Sequence, residues 1–180
     1  LAHAIQHPDD KLGIALCLVG EKGSGKTTVW EIILRLFGQI ACHDSKNPGK
    51  DVWGDSNINM LEAFWCRIVE AEKKTFRGCL GSLKNVITDN PISVRELYCK
   101  TMTVPNFTRF FIDTDNFDSI PDEHGERRFF VVKVSDEKIN NASYFTEIRK
   151  HINDDQVIRA FYEVLHDRKG VKRHYFGNDI

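Results

Sequence analysis

Apolar residues along this chain occur as short continuous runs separated by stretches with helical spacing. The run at residues 14–19 is followed by Gly20, which is typical of a strand buried on both faces. Further strand-length runs cover residues 64–69, 107–114 and 129–134. The pattern therefore predicts short core strands spread along the whole sequence.

Helical spacing of apolar residues occurs between these runs. Residues 27–37 follow it and are succeeded by Gly38, a typical helix C-cap. Residues 75–87 are also predicted to be helical, and residues 139–165 to hold one or two helices. The polar, Gly- and Pro-containing residues 44–57 predict a loop. Strands interleaved with helices indicate an α/β domain with a mainly parallel central sheet flanked by helices.

A glycine-rich motif lies between the first strand and the first long helix. Residues 20–27 read GEKGSGKT and fit the phosphate-binding pattern G-x-x-x-x-G-K-[ST] at every fixed position. Glycines let backbone N–H groups curl around a β-phosphate, and the helix N-terminus adds partial positive charge. The motif predicts binding of ATP and Mg²⁺, with Lys26 on the β- and γ-phosphates and Thr27 on the metal. The candidate nucleotide-binding residues are Gly20, Glu21, Lys22, Gly23, Ser24, Gly25, Lys26, Thr27 and Thr28.

Hydrolysis also needs a carboxylate near the metal and the attacking water. The run at residues 64–69 leads into Glu70, with Glu72 two positions later. A carboxylate at the carboxyl end of a strand beside the loop's own strand would point at the metal. We therefore predict Glu70 as the metal-binding and water-polarising acid and Glu72 as second choice. The alternative is that both acids belong to a solvated strand end.

Two later features complete a candidate ATPase. The strand predicted at residues 107–114 leads into Asn116, an amide able to orient the lytic water, although an Asn after Asp also commonly makes a turn. Arg127 and Arg128 directly precede the last predicted strand. Either arginine is a candidate finger for a neighbouring subunit's γ-phosphate, and the alternative is a surface ion pair.

The order of glycine-rich loop, acidic strand end, asparagine and arginine resembles the superfamily 3 helicases, and more narrowly the poxvirus- and phage-type primase–helicase branch. The likeness covers roughly residues 5–165. The segments that carry it are QHP at residues 6–8, SLKNVIT at 82–88, ISVRELY at 92–98, PNF at 105–107 and PDEHGERRF at 121–129.

This resemblance implies a P-loop NTPase of the ASCE class with an AAA+-like fold. It also implies a homo-oligomer, usually a hexameric ring, that hydrolyses ATP while translocating on single-stranded or forked DNA. A primase domain in the same full-length chain is a further implication. Carried over by position, Glu70 falls in the Walker B motif, Asn116 at sensor 1, and Arg128 or Arg127 at the arginine finger. Lys84, Arg95 and Lys100 fall in the family's DNA-contacting region.

The sequence departs from the family pattern at two places. Walker B strands in the family usually end in two consecutive acids, whereas Val69 or Ala71 stands at the first acidic position here. Asp113 and Asp115 make the asparagine-bearing strand unusually acidic. Negative charges so close to a γ-phosphate are unfavourable unless they point away or meet an arginine or Mg²⁺.

Charge patterning gives limited support for nucleic-acid binding. The 180 residues carry a net charge of −1, which excludes a polybasic binder, but residues 67–109 hold eight Lys or Arg against four Asp or Glu. Tyr98 lies close to Lys100 and could stack on a base. In a ring, a modest basic patch is repeated around the pore, so few cations per subunit suffice.

Composition and residue order also lead to expectations about the cellular location of the protein and the extent of its domain. The five cysteines are widely spaced without C-x-x-C, so we expect reduced thiols in an intracellular protein. No run approaches the roughly 20 apolar residues of a membrane-spanning helix, so we expect a soluble protein with no membrane partner. The chain opens at Leu1, and we expect a piece of a longer protein. Residues 1–165 are predicted to form the ATPase domain, and residues 166–180 a basic tail leading to a further C-terminal segment.

The sequence therefore predicts the ATP-driven motor of a DNA helicase that replicates a virus, phage or mobile element. Two other functions remain open at this point. A small P-loop kinase would need a lid and an acceptor pocket within one chain. A nucleotide-gated assembly or DNA-binding module would bind ATP with negligible hydrolysis, which the incomplete acidic pair would explain.

Overall fold

A computed structural model describes residues 1–69, 80–120 and 127–172. Within these ranges, five parallel strands form one sheet and a short antiparallel pair stands apart from it. The sheet strands are β1 (Ala15–Val19), β2 (Cys42–Ser45), β3 (Trp65–Ile68), β6 (Arg109–Thr114) and β7 (Phe129–Lys133), and the pair is β4 (Ile92–Val94) with β5 (Met102–Val104). The order across the sheet is β2-β3-β6-β1-β7.

Helices cover both faces of this sheet. They are α1 (Ala2–Gln6), α2 (Lys26–Phe37), α3 (Pro48–Asp51), α4 (Leu80–Thr88), α5 (Ala142–Ile152) and α6 (Asp155–His166), with 3₁₀ turns at Ile58–Leu61 and Phe117–Ser119. The predicted α/β architecture with a mainly parallel central sheet is therefore confirmed. No helix in the described ranges is long and apolar enough to cross a bilayer.

Side-chain alternation along β1 and β6 builds a separate core on each face of the sheet. Cys17 and Ile112 belong to the core under α4, whereas Leu18 and Phe111 belong to the core under α2. All six residues of β6 are buried, which explains its central place in the sheet. Burial on both faces also explains why β1, with the sequence ALCLV, is apolar throughout and why residues 110–112 form an apolar centre in β6.

The prediction of a loop over residues 44–57 is wrong at its start. β2 runs to Ser45, and the short helix α3 follows. Ser45 is fully buried and its hydroxyl donates to Asp51 Oδ1 at 2.7 Å. β2 has the polar sequence CHDS, and its main-chain pairing with β3 rather than apolar content makes it a strand. Its sequence therefore carries no hydrophobic signal.

The amino-terminal segment is held against the domain by polar contacts. Arg109, at the start of β6, donates to the carbonyls of His7 and Asp10, and its guanidinium lies 4.2 Å from the ring centroid of Phe64. Gln6 donates to the carbonyls of Leu165 and Arg168 at the end of α6. These contacts lie at the amino ends of the strands, which leaves the opposite edge of the sheet for the loops that follow β1 and β6.

Candidate active site

The glycine-rich loop connects the carboxyl end of β1 to the start of α2. Gly23 and Gly25 have φ angles of +83° and +102°, which residues with a Cβ rarely adopt. Gly25 is the N-cap of α2, and no side chain of the described residues caps this helix. Its first backbone N–H groups therefore remain available to an anionic ligand.

Lys26 crosses the loop and is only 7% exposed. Its ammonium group donates to the backbone carbonyls of Gly20 and Glu21. It also donates to Asp115 Oδ1 at 2.6 Å, and the Asp115 side chain is 57% exposed. The buried cation is therefore held by two fixed carbonyls and one carboxylate that solvent can reach.

A second ion pair lies beneath the first turn of α2. Arg67 on β3 donates to both carboxylate oxygens of Asp113 on β6, at 2.8 and 2.9 Å, and both side chains are buried. The same guanidinium donates to the Thr27 hydroxyl at 3.3 Å and lies 5.9 Å from the ring centroid of Trp30. Asp113 is thus paired with Arg67, and Asp115 with Lys26. Pairing with a cation is one of the arrangements that make a negative charge acceptable so close to a phosphate site.

A cavity of about 650 Å³ opens beside these groups. One wall is the glycine-rich loop with Asp113 and Asp115, and the other is the start of α5 with Phe145 and Arg149. A Cβ placed on Gly25 would lie 3.0 Å from Phe145 Cε1, so the aromatic ring packs directly on the loop. The volume and the mixed polar and aromatic lining suit a small organic anion.

The comparison with protein families matches residues 1–174 to the virulence-associated protein E-like domain. This chain belongs to that family. A comparison with curated proteins finds no match.

Among solved structures, this virulence-associated protein E-like domain is similar to the NrS-1 C-terminal region in its apo form, with a TM-score of 0.77 and 20% identity. The alignment covers 95% of this chain and 41% of that one. Two A-form apo structures of that region give TM-scores of 0.73 and 0.74 at 20% and 19% identity, each covering 95% of this chain and 40% of its own. The chain therefore spans about two-fifths of these structures, and the likeness at this identity concerns the fold.

The predicted metal-binding acids, Glu70 and Glu72, lie outside the described residues, and their roles stay predictions. The prediction that these acids follow a strand lying directly beside β1 is wrong. The strand of residues 64–69 does not lie beside β1, because the fully buried β6 separates β1 from β3.

Asn116 follows β6 directly, as predicted, but its side chain accepts a hydrogen bond from the Asp118 backbone N–H at 2.9 Å. It caps the 3₁₀ turn that begins at Phe117. The described side chains of this strand end that line the cavity are Asp113 and Asp115. The water-orienting role of Asn116 stays a prediction, while Asp115 is the neighbour that contacts Lys26.

Arg127 and Arg128 lie at the amino end of the sheet. The Arg128 carbonyl accepts from the Ala15 N–H at 2.7 Å, at the first residue of β1. The five residues of β1 span about 15 Å, so these arginines lie at the edge opposite the glycine-rich loop of the same chain. A finger role for either arginine therefore requires a second copy of the domain.

The predicted DNA-contacting residues occupy two neighbouring elements. Arg95 and Lys100 are exposed and lie between β4 and β5, and Arg95 approaches Asp55 at 3.9 Å. Tyr98 is 96% exposed with φ of +65°, so it protrudes from this turn. Lys84 lies half-buried on α4. This family member therefore carries the predicted cations beside an exposed aromatic side chain.

Two other cations of the basic segment have structural roles. Arg67 and Arg109 are buried and satisfied by Asp113 and by backbone carbonyls, respectively. Because neither faces solvent, the positive excess counted over residues 67–109 overstates the charge available to a nucleic acid.

Sequence reasoning missed the contribution of α5 to the cavity. Arg149 lines it and pairs with Glu31 on α2 at 3.5 Å, and Phe145 packs on the loop. Helical spacing identifies α5 but does not say which face meets a loop more than 100 residues earlier in the chain. The sequence did contain a signal for the pairing of Arg67 with Asp113, because a charged residue inside a predicted buried strand needs a partner of opposite charge.

Proposed function

We propose that this domain binds ATP with Mg²⁺ and hydrolyses it. The observation that carries the proposal is the buried Lys26, held across the glycine-rich loop while its carboxylate partner among the described residues, Asp115, is exposed at the wall of a 650 Å³ cavity. A triphosphate can replace that carboxylate on the lysine while the loop N–H groups hold the phosphate oxygens. The buried Ser24 hydroxyl, which has no hydrogen-bond partner among the described residues, adds a donor within the same loop.

The oxygen groups around the cavity suit a magnesium ion. The Thr27 hydroxyl lines the cavity and is a hard oxygen ligand of the kind that Mg²⁺ prefers, whereas Asp113 is engaged by Arg67 and Asp115 by Lys26. When bound, the ion would neutralise charge on the phosphates. Glu70, with Glu72 as second choice, is the predicted further acid for it. In this arrangement Lys26 holds the β- and γ-phosphates, and Asn116 is the predicted residue that orients the water.

We further propose that the hydrolysis drives a superfamily 3-type helicase motor in the replication of a virus, phage or mobile element. Membership of the virulence-associated protein E-like family and the fold shared with the NrS-1 C-terminal region support this hypothesis. In the proposal the domain forms a homo-oligomer, a hexameric ring, because a finger role for Arg127 or Arg128 at the edge of the sheet opposite the loop would need the γ-phosphate of a second copy. Single-stranded or forked DNA would contact Arg95, Lys100 and Lys84, and a primase domain is the proposed companion in the full-length chain.

Nucleotide binding and turnover test this proposal on the whole chain. A fluorescent ATP analogue should bind the unaltered protein, and Lys26→Met should weaken binding by about tenfold or more. Lys50→Met changes an exposed lysine on α3 and is the matched control, expected to bind normally. Absence of binding, or equal binding by the Lys26 variant, would refute the nucleotide site.

An ATPase assay over a protein dilution series, with and without single-stranded DNA, tests the motor. Specific activity should fall on dilution, because the arginines of one copy complete the site of another, and it should rise with DNA. DNA affinity should decrease with salt, and Arg95→Ala with Lys100→Ala should reduce that dependence. Turnover that needs a small phosphate acceptor would instead indicate a kinase, and binding without turnover a nucleotide-gated module.

A further inference from the structure

The end of β6 brings one carboxylate into contact with the loop lysine. Asp115 Oδ1 accepts from Lys26 Nζ at 2.6 Å, and the Asp115 side chain both lines the cavity and is 57% exposed. Its neighbour Asn116 uses its side-chain oxygen to cap the following turn. The polar group that this strand end presents to the phosphate site is therefore a carboxylate.

The direction of Asp115 follows from the alternation of side chains along β6. Phe111 belongs to the core under α2, so Asp113 two residues later shares that side of the sheet, where Arg67 meets it. Asp115 is two residues further on, beyond the end of the strand, and reaches past the ion pair to Lys26. Both oxygens of Asp113 are engaged by Arg67, whereas the Asp115 side chain, within the described ranges, accepts one hydrogen bond, from Lys26, which a phosphate can displace.

We propose that Asp115 is a catalytic residue that positions the attacking water, the role that sequence reasoning assigns to Asn116, and accepts the proton of that water, in place of the water-polarising role predicted for Glu70. This inference rests on the proposed ATP hydrolysis. A γ-phosphate that takes the place of the carboxylate on Lys26 lies between Lys26 and Asp115. Two anions cannot share that contact, so the carboxylate moves back and a water fits between it and the phosphorus.

In the reaction, the water oxygen forms a bond to the γ-phosphorus while the bond from phosphorus to the β–γ bridging oxygen breaks. The electron pair of that bond leaves with ADP. Asp115 accepts a hydrogen bond from the water, takes its proton during attack, and passes that proton to the inorganic phosphate product. Atoms and charge balance without any further reactant.

The same geometry makes Asp115 a competitor of the nucleotide. Before binding, its carboxylate neutralises Lys26; during binding, the phosphates must displace it. Removing the charge should therefore tighten binding while it slows hydrolysis. A residue that only supports the fold of the loop would, when replaced, weaken binding and hydrolysis together.

The experiment compares Asp115→Asn with Asp118→Asn in the whole chain. Asp118 is exposed, lies three residues away and is absent from the described cavity lining, so it matches the change in charge without the contact. Affinity for the fluorescent ATP analogue is measured in EDTA, and turnover of ATP is measured with Mg²⁺. Far-ultraviolet circular dichroism of each variant checks the fold.

We expect Asp115→Asn to bind the analogue about two- to fivefold more tightly, as expected for removal of a partly exposed ion pair. Its turnover should fall by about 10²-fold, the usual contribution of a base. Asp118→Asn should leave both values within twofold. Unchanged or weaker binding, turnover within threefold of the unaltered protein, or a larger loss of turnover in Asn116→Ala would each overturn the assignment.

Failure of this inference differs from failure of the proposed function. If the unaltered protein shows no Lys26-dependent nucleotide binding, the proposed function fails. If it binds and hydrolyses ATP while Asp115→Asn behaves like Asp118→Asn, the function stands and Asp115 has no catalytic role. Asp115→Ala, which removes the carboxylate without introducing an amide, serves as a second variant and should show the same tighter binding and slower hydrolysis.

Discussion

Replacing Arg67 by methionine removes the cation from a buried ion pair and leaves the Asp113 carboxylate in place. The Arg67 and Asp113 side chains are 8% and 5% exposed, and two hydrogen bonds of 2.8 and 2.9 Å join them. Breaking such a pair by removing one partner costs about 3–5 kcal/mol, because the remaining charge is buried without compensation. For a protein of this size, the melting temperature should fall by roughly 10 °C.

Thermal and urea unfolding of Arg67→Met, Asp113→Leu and the double variant measure this effect. The double variant buries no charge at this position and should recover most of the lost stability. Arg159→Met is the control, since its partner Glu163 and Arg159 itself are exposed on α6, and its loss should stay below about 1 kcal/mol. The reasoning is refuted if Arg67→Met loses less than that control, or if the double variant is as unstable as the single one.

Three further changes test other parts of the fold. Asn106→Ala removes a 1%-exposed amide that donates to the carbonyls of Val86 and Asp89, and chemical denaturation should show a loss of about 2–4 kcal/mol. Lys11 donates to the same carbonyls, and burial lowers its pKa to about 7. Since the unfolded chain then binds a proton that the folded chain lacks, stability should rise from about pH 7 to pH 10, and Lys11→Met should abolish its share of that rise. Gly25→Ala places a Cβ at φ +102°, so melting should show a loss of about 1–2 kcal/mol together with weaker nucleotide binding.

Much of the fold is readable from local sequence. The apolar runs before Gly20 and Asn116 correspond to β1 and β6, and the helical spacing after Lys26 corresponds to α2. These elements are recognisable because strands buried on two faces are mostly apolar and a half-buried helix is apolar on one side. β2 escaped notice, since an edge strand of polar residues is made by pairing rather than by hydrophobic content.

The candidate site, like the fold, could be predicted from the sequence only in part. Spacing alone identifies the glycine-rich loop, because backbone conformation and the lysine that follows are properties of consecutive residues. Sequence also places acids and an asparagine after β6, but it does not say which of them faces the loop.

Local residue patterns were enough to predict most strands of the central sheet, its long helices and the chemistry of the glycine-rich loop. Only the tertiary structure placed β6 between β1 and β3, paired Arg67 with Asp113, and set Asp115 rather than Asn116 against Lys26. Strand order and side-chain pairing depend on contacts between residues tens of positions apart. The free energy of a given strand order or side-chain pairing depends on how the two cores pack on the sheet, and no local pattern of residues contains that information.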